Sequence, residues 1–132
     1  MTMRATSTFK LDSWEESAYD ERDGTKLSRV KLTKTFSGDL DGTGRVEMLA
    51  AQGSVPDSRA YVALERITGT LNGRTGSFVL LHTATASNAG GSASWPVVPD
   101  SGTGDLRALR GQGQIAVSPD GAHTFTLDYE LD

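Results

Sequence analysis

The sequence predicts an all-β chain folded as one closed antiparallel β-barrel of about eight strands. Three observations carry this expectation. Apolar and polar residues alternate with period two along nearly the whole chain, and no stripe of helical period appears. Fifteen glycines against four prolines fall between short apolar runs, where they read as turns rather than as disorder. With no helices to cover a parallel sheet, the strands must pair antiparallel, as a barrel or, alternatively, a sandwich.

The elements follow in order. Strands are expected at about residues 6–14, 26–36 and 45–51, with residues 19–25, "YDERDGT", and 52–59, "QGSVPDSR", as loops. "SWEESAYDE", from Ser13, is expected to hold a short helical turn. "AYVALERITGTL" and "RTGSFVLLHTAT" flank Asn72-Gly73, whose tolerance of positive φ makes a two-residue type I′ hairpin the natural link. After a loop at "ASNAGG", residues 86–91, comes a strand at 92–98. "GQIAV" and "HTFTLDYEL" close the chain as a hairpin around "SPDG", which has proline and glycine where a type I turn wants them.

A chain of 132 residues is one domain, 1–132, with enough sequence to bury a core. It has no cysteine, so no disulfide framework and no thiolate metal site can form; its two histidines, His82 and His123, lack metal-ligand spacing, and no metal or cofactor is expected. No leader-like apolar stretch opens the sequence and no run of eighteen apolar residues exists, so a soluble cytoplasmic protein is expected, without a membrane partner. The net charge of −4 is spread along the chain, which argues against nucleic acid as a partner.

"PDSGTGDLRALRGQG", residues 99–113, has the look of a phosphate loop but not its parts. Gly102-Thr103-Gly104 lacks the third glycine of a dinucleotide fingerprint, no lysine follows as in a Walker loop, and the next glycines precede a strand rather than open a helix. It reads as a barrel corner, with Gly102, Gly104 and Gly111 there for backbone angles and close strand approach. "SGTGDLRALRGQGQI" resembles the glycine corner of the allene oxide cyclase-like barrels, a fold that dirigent proteins share. Together with Trp14, "FSGDLDG" at 36–42, "YVALERITGTLNGRTGSFVLLH" at 61–82, "VVPDSGTGDL" at 97–106 and the ending "H-x-F-x-L-x-Y" from His123, it resembles a bacterial family of unknown function with that fold. The resemblance implies a barrel. It carries over no catalytic residue.

The loop length at Asn72-Gly73 sets the register, and a three-residue loop would move His82 to the face opposite Glu65. A two-residue turn pairs Leu71 with Arg74, so Ile67 faces Phe78, Glu65 faces Leu80 and Ala63 faces His82. Tyr61, Ala63, Glu65, Ile67, Phe78, Leu80 and His82 then share one face, on which Glu65 and His82 are diagonal neighbours about 7 Å or less apart at Cβ. "SRVKLTKTF" places Lys34 on one face with Ser28, Val30, Leu32 and Phe36, where it could steer an acidic head group. Glu65 and His82 are therefore the candidate catalytic pair, as acid and base. Lys34, Tyr61, Phe78, Leu80, Trp95 and Arg110 are the candidate ligand-binding residues. Plainer roles stand beside these: an ion pair for Glu65 with Lys34 or Arg66, a rim position for His82 and for His123, core closure for Trp95, and a salt bridge from Arg110 to Asp105 or Asp100. The other face carries Val62, Leu64, Val79 and Leu81, a patch expected to bury against a second copy in a homodimer or higher oligomer.

Three functions follow from these residues. One is a barrel that binds a small, mostly apolar molecule, with or without an acid group, in its interior. Another is an enzyme that isomerises or cyclises such a molecule by proton transfer. The last is an interaction module whose interior is filled.

Overall fold

The computed structural model describes residues 2–131, and within it the strands close into a barrel in which each pairs with its neighbours in sequence. They are β1 (Met3–Arg22), β2 (Thr25–Gly38), β3 (Leu40–Gln52), β4 (Arg59–Leu71), β5 (Arg74–Ser87), β6 (Gly90–Pro96), β7 (Arg110–Val117) and β8 (His123–Glu130). β1 closes the barrel on β8, from Met3 opposite Tyr129 to Phe9 opposite His123. Arg4 ties this seam from outside, its guanidinium donating to both carboxylate oxygens of Asp128 at 2.7 and 3.1 Å. Among the described residues no helix is long and apolar enough to cross a membrane.

The β4–β5 hairpin has the expected register, with Leu71 opposite Arg74, Glu65 opposite Leu80 and Ala63 opposite His82. Asn72 and Gly73 take φ of 46° and 87°, the positive pair that a type I′ turn requires. The region from Ser13 differs from expectation. Instead of a helical turn, β1 continues to Arg22, paired with β2 through Trp14–Leu32, Glu16–Val30 and Ala18–Ser28, and bulged near Leu11 and Ala18. The expected loop at 19–25 contracts to Asp23-Gly24, again with two positive φ values, 52° and 85°. The cross-strand pairing of this arm meets its backbone hydrogen-bonding needs without burying a face, and residues 10–22 stay largely exposed.

The strands differ in length, and the difference decides what is filled. β5 meets β6 only along Thr83–Ser87, and β6 meets β7 at two positions. The connector between β6 and β7 covers the rest of the β5 edge: Val98 and Thr103 donate backbone hydrogen bonds to Val79 and Ser77, and the Ser101 and Thr103 hydroxyls accept from the Val79 and Ser77 amides. Its single 3-10 turn, Gly104–Leu106, sets Leu106 into the core, with Leu109 beside it. Gly102 is required because a β-carbon there would overlap the Leu106 carbonyl oxygen at 1.8 Å, and Gly104 because its φ is +59°. The glycine-rich stretch is thus more than a corner, since it seals one flank of the barrel.

Two buried clusters result. The larger packs Phe36, Phe78, Phe125, Leu40, Ile67, Leu71, Leu80, Leu127 and Tyr129 with the connector's Val97, Leu106 and Leu109, and fills one end. The smaller holds only Val30, Leu32, Val46 and Ala63, with Met48 and Tyr61 against it. On the outer face Val62 and Leu64 are exposed, whereas Val79 and Leu81 are half-buried.

Candidate functional site

The site lies where the two clusters meet. Lys34 on β2 stands opposite Gly44 on β3, and Gly44 stands opposite Ile67 on β4, one inward position along from Glu65. Lys34 and Glu65 therefore sit on strands separated by β3, and they can meet because the residue between them has no side chain. Lys34 Nζ reaches Glu65 Oε1 at 3.2 Å. From the other side, His82 Nε2 lies 2.7 Å from the same oxygen, the diagonal contact that the hairpin register makes available.

All three side chains are buried: Glu65 is 0 % exposed, His82 4 % and Lys34 5 %. An ionised carboxylate only accepts, so the bond to Glu65 puts a hydrogen on Nε2, and in the neutral imidazole Nδ1 then carries the lone pair. Among the described residues Nδ1 has no hydrogen-bond partner, and His82 lines the cavity described below. Glu65 Oε2 is sealed in protein, packed toward Gly44, and has no hydrogen-bond partner among the described residues. The Lys34 ammonium lies 4.5 Å from the centre of the Phe9 ring, which offers its face to the charge. Phe9 in turn packs on His123, ring centres 5.0 Å apart.

Above this cluster the barrel is hollow. An eight-stranded barrel is just wide enough to be filled by side chains or to hold one small ligand, and here the half lined by the smaller cluster holds a cavity of about 440 Å³. Val30, Leu32, Val46, Met48, Ala63 and Ile115 give it apolar walls. Ser28, Lys34, Tyr61, His82 and His123 bring polar groups to it, and Gln52, Arg59 and, on the exposed β1–β2 arm, Trp14, Glu16 and Lys26 also border it. Burial raises the Tyr61 phenol above its ordinary range; the nearby Trp95 indole opposes this shift, though it makes no regular hydrogen bond, and the Glu65 carboxylate reinforces it. Tyr61 is thus a hydroxyl donor to any ligand at neutral pH.

Of the residues expected at a site, Lys34, Tyr61, Glu65 and His82 come together, but Glu65 stands behind the cavity wall rather than in it. Phe78 and Leu80 do not line the cavity, because their side chains are spent filling the opposite half. Trp95 packs against that filled half. Arg110 is exposed and reaches Glu130, the residue opposite it on β8, at 3.4 Å rather than Asp100 or Asp105. Ser28, Met48, Ile115 and His123 join the lining; of these, Ser28 carried a signal in its place on the Lys34 face and His123 in its place at the start of the alternating last strand. Among the described residues no group of three or more potential ligands could hold a metal ion.

No curated protein matches the chain. Among solved structures, a crystal structure of a protein of unknown function from Shewanella oneidensis MR-1, assigned to the DUF3224 family, is similar over 100 % of this chain and 99 % of its own, with 32 % identity and a TM-score of 0.87. The pattern of that same family, described as protein of unknown function (DUF3224), matches residues 5–129, and the chain belongs to it.

Proposed function

We propose that the barrel binds a small, mostly apolar molecule carrying one uncharged polar group, such as a carbonyl or hydroxyl. The observation that carries this reading is the cavity of about 440 Å³ with aliphatic walls and polar groups gathered at Lys34 and His82, the make-up usual for a small-molecule pocket. An acidic head group suits Lys34 considered alone. Here Glu65 already balances the ammonium charge, so a neutral acceptor is the better complement.

The uncharged fluorophore N-phenyl-1-naphthylamine tests the proposal. Saturable, single-site fluorescence enhancement is expected, and Val46→Phe, which fills the cavity from its wall, is expected to remove it while circular dichroism stays unchanged. Enhancement that survives Val46→Phe, or none at all, refutes the reading and leaves the barrel as an interaction module.

A further inference from the structure

We infer that His82 and Lys34 make the floor of this cavity a proton-transfer site for an uncharged, enolisable ketone or aldehyde. The inference rests on the cavity reading and adds to it a division of labour that geometry alone distinguishes. Glu65 does not line the cavity, so it touches no ligand. It is a positioning residue whose single oxygen Oε1 holds both the imidazole and the ammonium. Held through Nε2–H, the imidazole can offer only Nδ1 to the cavity, the arrangement by which a carboxylate fixes the tautomer of a histidine base. The ammonium has three hydrogens and gives one to Glu65, so two remain for an oxygen on a ligand.

A carbonyl oxygen on Lys34 places the carbon next to it within the reach of a neighbouring base. Nδ1 of His82 takes the proton from that carbon; the C–H electrons form the carbon–carbon double bond, and the carbonyl π electrons move onto oxygen. The resulting imidazolium stays hydrogen-bonded to Glu65, and the enolate oxygen stays on Lys34, where low surrounding polarity strengthens the attraction. Returning the proton from Nδ1 to the same carbon exchanges it; returning it to the far end of a conjugated enolate moves a double bond. Both steps balance without an oxidant or another reactant. The remaining charged and titratable groups that border the cavity are Arg59 and Tyr61 on β4, His123 on β8, and Glu16 and Lys26 on the β1–β2 arm.

The experiment follows deuterium exchange beside the carbonyl of 4-phenylbutan-2-one in D₂O by proton NMR. The native protein is expected to exceed buffer by about 10²-fold, the scale of a positioned general base. His82→Gln and the cavity-filling Val46→Phe are each expected to return the rate to background, and Glu65→Gln to lower it while N-phenyl-1-naphthylamine still binds. Should His82→Gln unfold the barrel, Val46→Phe, which leaves the Lys34–Glu65–His82 cluster unaltered in sequence, carries the test alone. Bound fluorophore without exchange above buffer overturns the proton-transfer role and leaves the cavity reading standing. Neither binding nor exchange overturns both. Exchange that persists in His82→Gln or Val46→Phe assigns it to surface amines and also overturns the role.

Discussion

A β-carbon at Gly44 would lie 2.2 Å from Oε2 of Glu65. The glycine is therefore the space into which the buried carboxylate fits, and its neighbour on β2 is Lys34. Its value is spatial, since its φ is not in the left-handed region. Gly44→Ala is expected to push Glu65 off Lys34 and His82 and to destabilise the fold by about 1–3 kcal/mol, the range for an overpacked core. In Glu65→Ala only the Phe36 ring edge, 3.1 Å from that β-carbon, stays close, so the same change there is expected to cost much less. Urea unfolding of the four members of this cycle measures the coupling, and additive effects would refute the spatial account.

The cluster also invites the question of whether it stabilises the barrel. Its carboxylate leaves Oε2 without a partner, and burying charges offsets much of what their attraction returns. Glu65→Leu alone strands the Lys34 ammonium among apolar groups and is expected to lose about 3–5 kcal/mol. The triple variant Lys34→Met/Glu65→Leu/His82→Phe removes every buried polar partner together, and it is expected to match the native stability or exceed it by about 1–4 kcal/mol. A triple variant as unstable as the single one would show that the ionic cluster holds the fold.

Outside the barrel, Arg4 and Asp128 join the first strand to the last, and their effect depends on pH. The hydrogen bonds from Arg4 hold the Asp128 carboxyl below its usual range, reinforced by the guanidinium charge. A carboxyl that ionises more easily when folded stabilises the fold above its unfolded value, about 3.9, and the contribution disappears as pH falls through the lower folded value. Asp128→Asn is therefore expected to lower Tm slightly at pH 7 and to leave it unchanged near pH 2. The pair is exposed, so 1 M salt is expected to shrink the difference at pH 7. A gap that widens in acid would reverse the sign of this argument.

How much of this was legible depended on what the local signals report. Period-two alternation records burial of one face, so β4, β5 and β8 announced themselves, and Asn72-Gly73 then fixed which residues share a face. The far end of β1 was misread because its residues are largely exposed on both faces and show no alternation, although Asp23-Gly24 carries the same turn chemistry as Asn72-Gly73. Lys34, Glu65 and His82 could be placed on inward faces. The contact of His82 with Glu65 followed from the hairpin register, whereas Lys34 stood only as one of several ion-pair partners, because its reach to Glu65 depends on one glycine, Gly44, lying between them across three strands. For the same reason Phe78 and Leu80 looked like pocket residues: a strand pattern tells inside from outside, but not the filled half of a barrel from the hollow one.

The hairpin that fixed the register offers a last test, since Asn72 acts in two separable ways. Its φ of 46° is a conformation that an ordinary side chain adopts only at a penalty, and its Nδ2 donates to the Tyr129 hydroxyl at 2.8 Å, linking the turn to β8. Asn72→Gly keeps the backbone angle and loses only the hydrogen bond, an effect of about 1 kcal/mol. Asn72→Ala loses the bond and also forces a methyl-bearing residue into the left-handed region, so it is expected to lose about 1 kcal/mol more. Tyr129→Phe removes the acceptor from the other side, and combined with Asn72→Gly it is expected to add little. Chemical unfolding of the three single variants and this pair separates the two contributions, and equal losses in Asn72→Gly and Asn72→Ala would show that the turn geometry contributes nothing.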